Sequence, residues 1–431
     1  MRALRFFAIV LVYGCVSAAW MALGVTVWAR TEMLDDRLSG EMKSLWGPKV
    51  LAQASPYWAP TETSGRGDAG AVAPSSSKIA ADIKHNHRYK GLLWYSTFTV
   101  DFDAEYTVPA AGATERAEGF FVFSLPADVN GYDNLTVEVN DKPREISQNE
   151  IVSGKLAVPM SLASENKVHV RYTTNGQDVW LYSPGEAPHV DSRGGRYRVP
   201  DGSGKLAKLS NFSLRVTTDF GDIDYPKGEG GRSPNLPAQV NDGGRTAEWQ
   251  FDEALTGQVM GIVMPERQNA GPLAARMSFF APVSLFFFLT VLFTVVILKK
   301  VPLHPMHYLF ISAGFFAFHI LMAYLADIVS IHAAFWICAA VSVLLVVSYM
   351  RLVAGVKFAV TYVAAAQLVY LVGFSYAFFW EGQTGLTVVV VAILTLFVLM
   401  QATGRVNWSE VFKRRSAEPP LPPAGSQPPQ A

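Results

Sequence analysis

A chain of 431 residues that is 50% hydrophobic and only 17% charged is too apolar for an ordinary soluble protein, in which about a quarter of residues carry charge. Lys plus Arg equals Asp plus Glu at 36 each, so the cationic excess of a nucleic-acid binder is missing and no nucleic acid is expected as a partner. Both cysteines, Cys15 and Cys338, sit in apolar runs and read as small buried hydrophobes, neither a disulfide nor a metal site.

Six stretches are long and apolar enough to cross a bilayer as helices: residues 6–29, 277–298, 305–326, 328–350, 358–380 and 382–404. None contains Asp, Glu, Lys or Arg, and backbone groups in hydrocarbon must pair within their own segment. The short connections carry their cations on alternate sides. Arg2 and Arg5, then Lys299 and Lys300, then Arg351 and Lys357, then Arg405, Lys413, Arg414 and Arg415 all fall on one side, while Asp327 and Glu381 mark the other. Cationic flanks stay in the cytoplasm, so both termini are expected there and residues 30–275 outside; Arg30 and Arg276, which flank the long translocated segment, are the exceptions. Arg2 and Arg5 with Ser17-Ala18-Ala19 also fit a cleavable signal, and Leu11 to Cys15 faintly suggests a lipoprotein site. Hydrophobicity that continues to Trp28 favours a retained anchor.

The outer segment alternates with the period of half-buried strands. Trp94, Phe98, Val100 and Phe102 share one face, and the pattern recurs at Leu135, Val137 and Val139, at Leu156, Val158 and Met160, at Val168, Val170 and Tyr172, and at Phe212, Leu214 and Val216. Asn140-Asp141-Lys142-Pro143, Asn175-Gly176-Gln177-Asp178 and Asp242-Gly243-Gly244 read as turns between them. The expected fold is a multi-pass α-helical membrane protein of six transmembrane helices with a large antiparallel β-rich, sandwich-like domain between helices 1 and 2. Residues 60–80, poor in large apolar groups, read as a flexible excursion, Gly228 to Gly231 as another loop, and residues 405–431, rich in proline, as an unstructured cytoplasmic tail.

Catalytic constellations are not evident, and neither an enzyme activity, a metal nor a cofactor is expected. His85-Asn86-His87 would put two imidazoles on one face of a strand, but no nearby carboxylate or cysteine completes a ligand set, so the segment reads as a solvated approach to the first strand. In the membrane the ionisable or polar candidates are His304 and His307 at the start of the third helix, His319 inside it, Asp327 at its outer end, Gln367 and Glu381. Of these, His304, His319, Asp327 and Glu381 are the candidate functional residues. Asp327 and Glu381 also read as interfacial loop residues, and His319 as a neutral imidazole hydrogen-bonded across a helix interface.

Leu303-His304-Pro305-Met306-His307-Tyr308-Leu309, opening a membrane helix, and Thr403-Gly404-Arg405-Val406-Asn407-Trp408, closing the last one, resemble segments of the CreD family of bacterial inner-membrane proteins. Gly47-Pro48 after the first helix and Arg88-Tyr89-Lys90-Gly91-Leu92 in the outer domain are similar to that family too. The resemblance implies a plasma-membrane protein of the bacterial inner membrane associated with cell-envelope integrity and with tolerance to certain bacteriocins, and brings no catalytic residues. The expected function is non-enzymatic support of the envelope, with the periplasmic β domain binding an envelope protein or cell-wall component. A small-molecule or ion transporter using the C-terminal helices is the alternative, and a sensor without a cytoplasmic output domain a weaker third.

Overall fold

The computed structural model describes residues 2–404 apart from 63–64, 66–69, 111–117, 186–205, 227–229, 242, 381 and 383. Glu381, the tail 405–431 and residues 63–64 and 66–69 of the 60–80 excursion therefore lie outside the described residues. The chain divides into two compact units, residues 1–28 with 270–431, and residues 29–269.

Among the described residues six helices are long and apolar enough to cross a membrane. Helix α1 spans Arg2–Trp46, far beyond the apolar stretch that ends at residue 29. Hydropathy sets how much of a helix suits lipid, not where the helix stops. Beyond Ala29 the sequence is rich in helix formers, and Leu34, Leu38, Met42 and Trp46, spaced by four, pack with Leu93 and Tyr95 into a small core of their own.

The β unit has three sheets among its described residues. The strands are β1 Val50–Ala54, β2 Tyr57–Ala59, β3 Ser76–Lys90, β4 Leu93–Val108, β5 Glu118–Ser124, β6 Asp133–Val139 and β7 Lys142–Arg144. After the short helix α2, Gln148–Ser153, come β8 Lys155–Ser161, β9 Asn166–Gln177, β10 Val179–Ser183, β11 Ala207–Thr218, β12 Gln239–Asn241, β13 Gly244–Thr256 and β14 Met260–Val263. The large sheet runs β12-β13-β11-β3-β4-β9-β6-β7, and two small sheets run β1-β10-β14 and β2-β5-β8. Pairing is mostly antiparallel, but β1 with β10 and β3 with β11 are parallel. The expected alternation is real: Val100, Phe102, Val168, Val170, Tyr172, Leu214, Val216 and Trp249 of the large sheet are all buried, and they join Trp58, Phe121, Phe123, Trp180 and Ile262 of the two small sheets in one core. This is a sandwich, built as expected of alternating faces.

Three expectations change. The excursion ends by Ser76, because Ile79, Ala81 and Ile83 alternate inward and pair with β4 through a hairpin whose turn is Gly91-Leu92, with Gly91 at φ 63°. His85-Asn86-His87 is therefore mid-strand, not a solvated approach. Asn175-Gly176-Gln177 is also strand: the β9–β10 connection narrows to Asp178 at φ 52°, and Gly176 is glycine because a Cβ there would lie 2.6 Å from the Phe98 ring.

The helical unit adds α3 Ala270–Leu298, α4 Pro305–Leu325, α5 Ile331–Ala354, α6 Val356–Phe379 and α7 Thr384–Thr403. Capping fixes several of their ends. His304 Nδ1 accepts from Met306 N at 3.3 Å ahead of Pro305 at the first helical position, and Ser330 Oγ accepts from Ala333 N, so the α4–α5 turn spans several residues where hydropathy suggested one. Helix α6 is irregular: two π-helical segments, Ala359–Ala364 and Leu368–Gly373, bracket Ala365–Gln367.

Candidate functional site

The structure does not bring His304, His319 and Asp327 together, and Glu381 lies outside the described residues. His304 is an exposed helix cap, and Asp327 lies half-buried in the α4–α5 turn, about 34 Å further along by helical rise. His319 is buried in the middle of α4, but its Nδ1 bonds the carbonyl of Phe315 one turn back at 3.3 Å and does not cross to a neighbouring helix. What crosses is aromatic contact: the imidazole meets Trp20 of α1 edge to face, centroids 5.4 Å apart. At the helix start His307 Nδ1 pairs with the Tyr349 hydroxyl of α5 at 2.7 Å.

A polar seam runs instead through the helices at Gln367. Its Nε2 donates to Ser342 Oγ of α5 at 3.0 Å, and Ser342 Oγ donates to the Gly314 carbonyl of α4 at 2.7 Å. All three elements are packed tightly enough that Gln367 and Ser342 have no exposed surface. A second limb joins Ser284 Oγ of α3, which donates to the Tyr370 carbonyl, and Tyr370 OH, which pairs with Thr395 Oγ1 of α7 at 2.7 Å. Interhelical hydrogen bonds of this kind hold membrane helices at about 0.6 kcal/mol each. Tyr370, whose carbonyl takes the Ser284 hydroxyl, lies in the second π-helical segment of α6, and such bulges concentrate at functional sites. Among the described residues Gln367 Oε1 and Ser312 Oγ are buried with no hydrogen-bond partner, an arrangement that costs about 1–3 kcal/mol per group. Sequence reading noticed Gln367 but not its partners, since a lone serine in an apolar run gives no period to detect.

Close packing supports the seam. A Cβ on Gly314 would lie 2.4 Å from Val346 Cγ2, so this glycine sets the α4–α5 approach. Gly314→Ala should cost about 1–3 kcal/mol in the thermal unfolding of the detergent-solubilised chain, and adding Val346→Ala should recover most of it.

In the β unit the outward face of the large sheet is a cross-strand lattice of charge. Asp101 of β4 pairs with Lys84 of β3 at 3.3 Å and accepts from Thr173 of β9 at 2.8 Å; Asp103 takes both His169 Nε2 and Arg171 Nε of β9 at 2.7 Å. Arg215 of β11 meets Glu248 of β13 at 2.9 Å and Lys208 meets Glu253 at 3.0 Å. Most of these groups are half-exposed or more, so the pairs add little stability and the face is a hydrophilic platform of mixed sign.

One edge of the same unit collects titratable groups. His85 Nε2 meets Ser96 Oγ at 2.8 Å, its ring lies 4.4 Å from that of His87, and Ser96 Oγ donates to the Pro265 carbonyl. Burial, then the neighbouring His87, push the His85 imidazole down to about 4; burial also lowers His87. Close in sequence to β10, Asp178 is raised to about 7 by burial, with Lys49 opposing and Glu266 and Asp35 adding to the rise. Asp35 itself pairs with Lys49 at 3.4 Å and accepts from Tyr95 OH at 3.2 Å. Among the described residues no group of three or more His, Cys, Asp or Glu side chains is placed to hold a metal ion.

No curated protein matches the chain. Residues 233–409, from the last strands of the β unit through the final helix, match the family model described as inner membrane protein CreD, the family that the sequence resembles, and this match together with the six apolar helices among the described residues marks a multi-pass protein of the inner membrane.

Proposed function

We propose that this protein supports the cell envelope without catalysing a reaction, by presenting its β domain outside the membrane to an envelope protein or cell-wall component. Both termini lie in the cytoplasm on this reading, and residues 30–275 outside. The observation that carries it is the charged outer face of the large sheet: a broad array of paired side chains on rigid strands, which stabilises the fold little and suits a polar partner. The CreD match fits an envelope-associated membrane protein.

Reversing Asp101 and Asp103 together to lysine places like charges beside Lys84 and Arg171 and removes the carboxylate that meets His169 Nε2. Thermal unfolding should shift by about 1 kcal/mol at most, while rescue of detergent sensitivity in a deletion strain is lost. Full rescue by the double reversal would remove this face as the binding surface. Cysteines placed at Ser164 and at Lys357 test orientation, since only the first should react with an impermeant thiol reagent in intact spheroplasts.

The seam around Gln367, with its unpaired oxygen between two π-turns, favours transport as the second reading. Gln367→Leu with His319→Ala leaves the outer face intact. A variant that is stable, keeps the partner and yet fails to rescue would shift the function to the helices.

A further inference from the structure

A lateral groove of about 710 Å³ lies between α5 and α6, and we infer that it holds an acyl chain of an anionic phospholipid whose phosphate pairs with Arg351. The groove follows from spacing. Val360, Ala364, Leu368 and Val372 recur every four residues, which on a regular α-helix of 3.6 residues per turn would drift around the axis. The two π-helical segments widen the turns of α6 and counter that drift, so the four line a straight wall. Opposite them α5 contributes the small side chains Ala339, Ala340 and Ser348, which leave room between the helices where larger residues would fill it.

The lining is apolar except near one end, where Ser348 and Arg351 stand one turn apart. Arg351 sits in the last turn of α5 and is exposed, and among the described residues no carboxylate pairs with it. A guanidinium there can form two parallel hydrogen bonds to a phosphate while the hydrocarbon fills the apolar length beyond it. Basic residues at the mouth of a pocket between membrane helices suit anionic headgroups, whereas a zwitterionic lipid gains little from the same charge. Trp336, about 22 Å along α5 by helical rise, closes the far end. The inference stands apart from the outer-domain reading, since every residue it uses lies in the helical unit.

The test uses the full chain purified in mild detergent, with co-purifying lipids extracted and quantified, and with the chain then placed in bilayers of phosphatidylglycerol or of phosphatidylcholine. Wild type should retain close to one anionic phospholipid per chain and unfold at higher temperature in phosphatidylglycerol. Arg351→Gln should reduce retention about tenfold and remove the temperature difference, and Ala364→Phe, which fills the groove, should do the same. Lys357→Gln, a nearby cation outside the lining, should change neither. Equal loss in Arg351→Gln and Lys357→Gln would reduce the effect to general surface charge and overturn the site. So would Ala364→Phe dissociating an oligomer while lipid retention is unchanged, because the groove would then belong to a second copy.

Discussion

Gly261→Val should unfold the β unit's smallest sheet and lower stability by about 3 kcal/mol or more, read from heat or urea denaturation of the full chain. A Cβ at this position of β14 would lie 2.1 Å from the Trp180 carbonyl oxygen and 2.9 Å from the Leu181 Cα, both backbone atoms of β10 that cannot rotate away. Relief requires β14 to separate from β10, where Gly261 stands opposite Leu181. The consequence reaches further than one pair. Strand β1 follows α1, β14 precedes α3, and both pair with β10, so this sheet ties together the entry and exit of the whole domain. Separation would also uncover Trp180, Tyr182, Met260 and Ile262, all without exposed surface in the folded chain. Gly221→Ala is the control: nothing lies within 4 Å of a Cβ there, and its effect should stay within about 0.5 kcal/mol. Similar losses in both variants would mean that Gly261 is not held by close approach.

Asp178→Asn should stabilise the chain at pH 8 by about 2 kcal/mol, a rise of about 4–8 °C in the unfolding temperature, and make no difference near pH 4. Burial raises the Asp178 carboxyl from 3.8 to about 7. Between those values the folded chain holds a proton that the unfolded chain releases, so stability falls as pH rises through this window and the loss is complete above about 7. The full shift corresponds to about 4 kcal/mol by linkage, reduced to about 2 because Asp178 keeps partial access to water. Asparagine is a fitting replacement, since it stays neutral, adopts the positive φ of this position readily and leaves Lys49 its pairing with Asp35. His85 acts in the opposite sense. Its folded value is depressed to about 4, so its contribution is present above about 6.5 and lost as pH falls toward 4. The two groups offset each other across one window, and removing Asp178 should leave a chain whose stability declines on acidification. A pH profile of Asp178→Asn parallel to wild type would show that the carboxyl is ionised in the folded state.

The bilayer makes the membrane half of this protein legible, because it demands about 20 apolar residues per span and tolerates few charges. The alternation at Val100 and Phe102, or at Leu214 and Val216, is equally plain since one face of each strand meets the core. Legibility fails where a residue answers to a distant neighbour. Ser77 looks like loop until Phe212 and Tyr106 are seen on either side of it in the sheet. Gly176 looks like a turn until the Phe98 ring is seen against it, and Gly47 at φ 84°, part of the Gly47-Pro48 resemblance, is explained only by the Asn175 carbonyl that a Cβ would meet at 2.4 Å. The extension of α1 to Trp46 was hidden because charged helix and charged loop look alike in hydropathy. Gln367, Ser342 and Gly314 come from three separate helices, and no pattern within any one of them announces the seam.

On the proposed function the outer β domain is the working part of an envelope protein, and complementation of a deletion strain reads this out. Sensitivity to detergents, dyes and bacteriocins should be restored to the parental level by the intact chain and not by a chain lacking residues 60–260 that still reaches the membrane. Restoration by the helices alone would leave the β domain without the proposed role and move the function to the seam around Gln367.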